Sequence, residues 1–356
     1  MSQDNSTRTI EQLQEELGIQ LDNVLAARDA AEDMKTKLRK TLSGSAPADT
    51  SIVVFGSLAR DEFTSGSDID WTLLVDGQGD PQHHEVAQEI SKRLRDLGIK
   101  SPGREGTFGG LAVSHELIHR IGGGDDSNKN TTQRLLLLLE STAIEKKAAY
   151  ERTIKNVLDR YINEDFGLLE NLSPYNVPRF LQNDIARYWR TVAVDFAYKQ
   201  RQRRGEGWAL RTAKLRMSRK LTYVSGLLMC YDCELTFPKK EYSSGVSAAE
   251  IVDHLFKLSQ LTPLQVIANV LQRGKATNDV FRSLLTAYDS FLGILDNPTK
   301  RKYLDEELSR ESAASDKIYA DVRRLSGLFQ NALTDLFFDD RKDNKFLELT
   351  KTYGVF

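Results

Sequence analysis

Residues 52–76 read IVVFGSLARDEFTSGSDIDWTLLVD. Residues 52–55 are an apolar, β-branched run that closes on Gly56-Ser57, and residues 71–75 are a second such run entered through Ser67-Asp68-Ile69-Asp70. The pattern predicts two buried strands joined by a polar turn. Strand alternation sends Asp68 and Asp70 to one face and Ile69 to the other, with the two carboxylates about 7 Å apart along the chain. Like charges that close are costly unless a cation sits between them. Oxygen ligands favour Mg²⁺ or Mn²⁺. On the other side of the turn, Gly56 lets backbone approach a ligand, and the Ser57 hydroxyl and following amides can donate hydrogen bonds to phosphate.

Phosphate donors beside a metal-binding acid pair suggest nucleotidyl transfer, in which one ion activates an attacking hydroxyl and another steadies the leaving pyrophosphate. Gly56, Ser57, Asp68, Ile69 and Asp70 together resemble the signature of the DNA polymerase β-type nucleotidyltransferase superfamily: Gly-Ser, a gap of about ten residues, then acid-hydrophobic-acid. The resemblance covers residues 50–145. It implies an α/β nucleotidyltransferase palm, a mixed sheet with helices, followed by an all-α domain. It also implies Asp68 and Asp70 as catalytic metal ligands, with Gly56 and Ser57 on the phosphates. Such enzymes often carry a third carboxylate, for which Glu105, Glu116, Asp125 and Asp126 are the candidates; some relatives lack it, and the sequence does not choose. For Asp125 and Asp126 a helix N-cap is the competing reading.

The 356 residues are 40% hydrophobic and 28% charged, enough for two domains with separate cores. The expected division is an N-terminal helix (1–45), the catalytic domain (46–162), a helical domain (163–338) and a tail (339–356). A net charge of −2 provides no global field toward nucleic acid or membrane, so such binding must be local. The polar start lacks an apolar signal core and no run approaches a membrane span, which places the chain in the cytoplasm with no membrane partner. Cys230 and Cys233 lack the second pair or nearby histidines that zinc wants, and read as reduced thiols.

Two other stretches carry chemistry. His115-Glu116-x-x-His119 spells the helical zinc-protease motif. It needs a third ligand, for which only Glu140 lies at a suitable distance, and the glycines at 122–124 break the helix soon after. A short helix with surface histidines is the preferred reading. Between Lys199 and Lys220 there are nine Lys/Arg and one acid, Glu206, the one concentrated positive charge in the sequence. A triphosphate or a nucleic-acid backbone needs such a patch. Arg211, Lys214 and Ser218 fall at helical spacing on one face. Because the superfamily's helical domain commonly offers a lysine and a serine to the triphosphate, Lys214 and Ser218 are placed as nucleotide-binding residues.

Periodicity predicts a helix over 8–42, a helix over 81–97 opened by solvated His83 and His84, and a third strand at 111–113 behind a glycine-rich loop (103–110) able to close over a nucleotide. It then predicts one helix over 131–160 and an all-helical remainder that includes helices at 180–204 and 208–231. In the tail, Tyr353 is a phenolic hydroxyl near the last residue and a candidate nucleotidyl acceptor.

The layout resembles stand-alone bacterial nucleotidyltransferases related to uridylyl- and adenylyltransferases, among them Hailong-like enzymes of phage-defence operons. That resemblance implies an NTP or dNTP substrate, template-independent synthesis of an oligonucleotide product and an operon-encoded effector partner. Nucleotidylation of a protein or RNA acceptor is the alternative, and a binding scaffold without activity the third.

Overall fold

Helix α1 (Ile10–Leu17) and helix α2 (Asp22–Leu42) lead into strand β1 (Thr50–Phe55), a single helical turn α3 (Gly56–Ala59) and strand β2 (Asp70–Val75). Helix α4 (Gln82–Asp96), strand β3 (Leu111–Val113), helix α5 (Ser114–His119), helix α6 (Asn128–Leu139) and strand β4 (Ser141–Glu145) complete the α/β part. Everything after it is helical: α7 (Lys147–Asn163), α8 (Phe166–Leu169), α9 (Arg179–Gln202), α10 (Trp208–Lys214), α11 (Lys220–Thr236), α12 (Ala248–Ser259), α13 (Pro263–Arg273), α14 (Asn278–Asp296), α15 (Pro298–Lys302), α16 (Lys317–Phe338) and α17 (Lys345–Leu349). This is a computed structural model, and it describes residues 9–99, 108–203, 205–242, 245–340 and 344–354.

The sheet order is β3-β2-β1-β4, with β1 antiparallel to both β2 and β4 and β3 parallel to β2. Period-2 alternation divides its side chains cleanly. Ile52, Val54, Ile69, Trp71, Leu73 and Ile144 pack into one cluster with Ala31, Leu38 and Leu42 of α2 and Ile90 and Leu94 of α4. Val53, Phe55, Leu74 and Ala143 face the other way, into the large core that continues through the helical region. Asp70, Thr72 and Leu74 share this second face, so the acid edge of β2 looks toward the helices. The expected mixed sheet followed by an all-helical region is thus the observed architecture.

Local structure departs from the sequence reading in several places. The helix expected over 8–42 is two helices, because Gly18 adopts φ +60 and its N–H caps α1. The single helix expected over 131–160 is α6, β4 and α7. The leucine run of α6 stops at Glu140, and Ser141–Glu145 becomes a strand because β1 would otherwise present an unpaired edge. Ser127, rather than Asp125 or Asp126, caps α6: its side chain accepts from the Asn130 N–H. His83 is buried, accepting from the Asp80 N–H and lying 3.5 Å from Asp49, whereas His84 is exposed. The rod expected over 208–231 runs unbroken from Trp208 to Thr236, but with a π-helical segment, Leu215–Arg219, inside it.

Candidate active site

β1 ends at Phe55 and the chain turns at Gly56, whose φ of +68 favours glycine. Its N–H donates to the Glu140 carbonyl at 3.2 Å, which ties the turn to the start of β4. A Cβ on Gly56 would stand 3.6 Å from Asp70 Oδ2, so the bare backbone directly adjoins that carboxylate. Ser57 follows, half-buried, its hydroxyl making no hydrogen bond among the described residues. Ile69 anchors the acid strand in the α2/α4 core at 1% exposure, leaving Asp70 half-buried and Asp68 exposed.

Burial holds the Asp70 carboxyl above its ordinary range; Arg219 pulls it down, while the nearby Glu140 and Asp68 carboxylates push it further up. An edge that resists negative charge in this way is suited to bind a cation. The donor set fits a hard divalent ion: the Asp70 carboxylate at the first residue of β2 and the exposed Asp68 on the approach to it, beside a glycine turn that leaves room for ligand. Among the described residues no group of three or more His, Cys, Asp or Glu forms a metal cage. Asp68 and Asp70 would therefore share the ion with water and phosphate oxygens, the usual situation for Mg²⁺.

The other wall comes from the π-helical segment. An i→i+5 turn re-phases the helix, and across it Lys214 feels the charge of Asp68 while Arg219, bonded to Glu140 at 2.6 Å, feels that of Asp70. Burial, with the like charge of Arg301, pushes the Lys214 ammonium down to about 8, against the pull of Asp68. The predicted face of Arg211, Lys214 and Ser218 is thereby corrected. Arg211 turns back to the Gly207 carbonyl, and Ser218 is buried with its hydroxyl 3.3 Å from that of Tyr288.

Beneath Asp70 lies a buried ion network that sequence reasoning missed. Arg60 donates to Glu62 at 2.9 Å and to Glu140 at 2.7 Å; Arg219 and the Thr222 hydroxyl donate to Glu140 at 2.6 and 2.8 Å. Burial works to raise the Glu140 carboxyl, and the Arg60 and Arg219 guanidiniums overcome it and hold it below its usual range. Glu140 is thus the acid nearest in kind to a third carboxylate, but two arginines neutralise it. The only sequence signal for it was an acid at the mouth of an unrecognised strand.

The other candidates lie elsewhere. Glu105 falls outside the described residues. Glu116 is exposed and pairs with Arg120 at 3.3 Å; Asp125 is exposed. Asp126 is buried among Gly122, Asn130, Arg134 and Arg187, and although burial acts to raise it, the Arg134 hydrogen bond and its other donors lower it to about 2. It bonds the palm to α9 and is not at the acid pair. His115 and His119 stand on the exposed side of α5 with ring centres 4.5 Å apart, while Glu140 is committed to its arginines; the zinc-protease reading lacks its third ligand. Cys230 and Cys233 are free and fully buried, and burial pushes both thiols up. The Tyr353 hydroxyl accepts from the Tyr175 N–H at 3.2 Å, and Gln182 donates to the Tyr353 carbonyl at 2.8 Å. Gln182 and Tyr353 line a groove of about 500 Å³ between α9, α11 and the last turn, whose lining does not include Asp70.

Residues 35–104 match the nucleotidyltransferase domain family. The matched stretch runs from the end of α2 through β1, α3, β2 and α4, and so contains Gly56, Ser57, Asp68 and Asp70. The match spans 70 of the 356 residues, and this similarity to nucleotidyltransferase domains supports nucleotidyl transfer as the general class of activity. No curated protein matches the chain. Among the described residues no helix is long and apolar enough to cross a membrane.

Proposed function

We propose that this protein transfers a nucleoside monophosphate from an NTP or dNTP to an acceptor hydroxyl with release of pyrophosphate. One observation carries the reading: the stretch similar to nucleotidyltransferase domains holds Asp70 at the first residue of β2, against the Gly56 turn, with Asp68 two residues before it and within the electrostatic reach of Lys214. Asp68 and Asp70 would hold Mg²⁺ or Mn²⁺. When bound, the ion supplies charge neutralisation at the phosphates and lowers the barrier to attack by a hydroxyl. Gly56 and Ser57 offer close backbone and a free hydroxyl to phosphate oxygens, and Lys214 offers a charge to the polyphosphate tail. The acceptor oxygen bonds to the α-phosphorus as the bond to the bridging oxygen of pyrophosphate breaks; the hydroxyl proton leaves to solvent.

The finer reading proposed with it is template-independent oligonucleotide synthesis in bacterial anti-phage defence, on the strength of the palm-and-helices layout. Incubation with each labelled NTP and dNTP plus Mg²⁺ tests both levels. A ladder of products supports strand synthesis. A labelled protein or RNA band directs the reading to single transfer. Asp68→Asn and Asp70→Asn are each expected to lower transfer by roughly 100-fold or more, the scale of losing a principal charge-stabilising group. Wild-type protein that stays folded yet transfers no nucleotide, or variants as active as wild type, would overturn the proposal.

A further inference from the structure

Asn297 caps the short helix α15 and Pro298 opens it. These two residues turn the chain sharply after α14 and set Arg301 against the palm. Arg301 Nη1 donates to the Thr64 hydroxyl at 2.9 Å and to the Leu295 carbonyl at 3.4 Å. Gly66 lies so close to the guanidinium that a Cβ there would meet Arg301 Nε at 2.5 Å. Ser65 is tied to the end of α14, its N–H donating to Asp296 Oδ1 at 3.2 Å. The turn that delivers Asp68 is therefore docked on Arg301.

What the guanidinium does not touch is as informative. Arg301 is half-buried, yet among the described residues it has no carboxylate within 4.0 Å, and its Nε and Nη2 have no acceptor. Lys214, beside it, likewise has no ion-pair or hydrogen-bond partner among the described residues. The two cations repel each other, and the acid that both feel is the exposed Asp68. Asp296 and Asp305 also act on Arg301, but like Asp68 they act from beyond ion-pair distance, so two half-buried like charges without a contacting counter-charge create a demand for an anion. An arginine fork matches a phosphate in two parallel hydrogen bonds, whereas a lysine acts as a point charge.

We propose that Arg301 is a polyphosphate-binding residue which, with Lys214, forms an anion site for the leaving pyrophosphate portion of the substrate. The identity of the ligand rests on the nucleotidyl-transfer reading; the anion site itself does not.

Binding of inorganic pyrophosphate and tripolyphosphate, with Mg²⁺ and no nucleoside, is the direct test, read by calorimetry on the full chain. Wild type binds. Arg301→Gln binds roughly 10- to 100-fold more weakly, the loss of one charge-assisted contact. Arg301→Lys falls between the two. Thr64→Val removes the docking hydroxyl but no charge, so its affinity stays within about twofold of wild type. Unchanged pyrophosphate binding by folded Arg301→Gln overturns the proposal, as does a wild type that binds no polyphosphate. An equal loss in Thr64→Val also overturns it, because Arg301 would then act only by docking the turn. If wild type transfers nucleotides while Arg301→Gln keeps full pyrophosphate affinity, the anion site alone fails. If pyrophosphate binding depends on Arg301 in a protein that transfers nothing, the proposed function fails and the anion site stands.

Discussion

Changing Glu140 to glutamine probes the junction between the palm and the helical region. The Glu140 side chain is 1% exposed and accepts three hydrogen bonds, with Oε1 facing Arg219 and Oε2 facing both Arg60 and the Thr222 hydroxyl. A glutamine keeps the shape, but one of its two positions becomes an NH₂ that must point at a donor. If the amide oxygen stays with Arg60 and Thr222, the nitrogen confronts Arg219, and that guanidinium loses its ion pair. Arg60 still has Glu62. Removing one member of a buried ion pair costs about 3–5 kcal/mol. With an unfolding entropy of about 2.1 cal/mol/K per residue, 1 kcal/mol is worth roughly 1.3 °C in a chain of 356 residues. The expected fall in melting temperature is therefore about 4–7 °C by calorimetry. The same change should touch function, because Asp70 remains as an acid that Arg219 feels. An arginine released toward Asp70 competes with the cation, so the Mg²⁺ concentration needed for half-maximal transfer rises. A melting temperature within about 1 °C of wild type would refute the reasoning, since a loss that small means the three donors find other partners at no cost.

Two further outcomes follow from the geometry around the acids. Lys214 is held at about 8, against about 10.4 for an unperturbed lysine, so the folded chain binds fewer protons than the unfolded one between those values. Stability should rise with pH across that window, while pyrophosphate affinity falls above pH about 8 as the free ammonium loses its proton. Denaturation and binding isotherms between pH 7 and 10 check both signs, and Lys214→Met should flatten the binding profile. Gly56→Ala should cost about 1–2 kcal/mol, because alanine must adopt the positive φ that glycine takes freely; urea denaturation measures it, and an unchanged midpoint would show that the turn does not need that conformation.

The amino-acid sequence by itself determined the acid edge. Two apolar runs, a Gly-Ser turn and an acid-hydrophobic-acid entry are local features; alternation predicts Asp68 and Asp70 opposite Ile69, but β2 begins only at Asp70, so Asp68 sits on the approach to the strand and not in it. The capping box of Ser247 and Glu250 on α12 and Pro263 at the start of α13 are local in the same sense, each a pattern whose partner lies within a turn. The tertiary structure alone decided what those acids face. Glu140 meets Arg60, Arg219 and Thr222 across 79 to 82 residues, and Arg301 meets Thr64 across 237. No periodicity encodes such pairings, because any buried acid can be neutralised by any arginine that the packing brings to it. The strand β4 was hidden likewise, since Ser141–Glu145 is a strand only by virtue of the edge it covers. The π-helical segment re-phases a helix whose sequence reads as ordinary α, so that Arg219 bonds Glu140 and Ser218 meets Tyr288, while Lys214 lies within the electrostatic reach of Asp68.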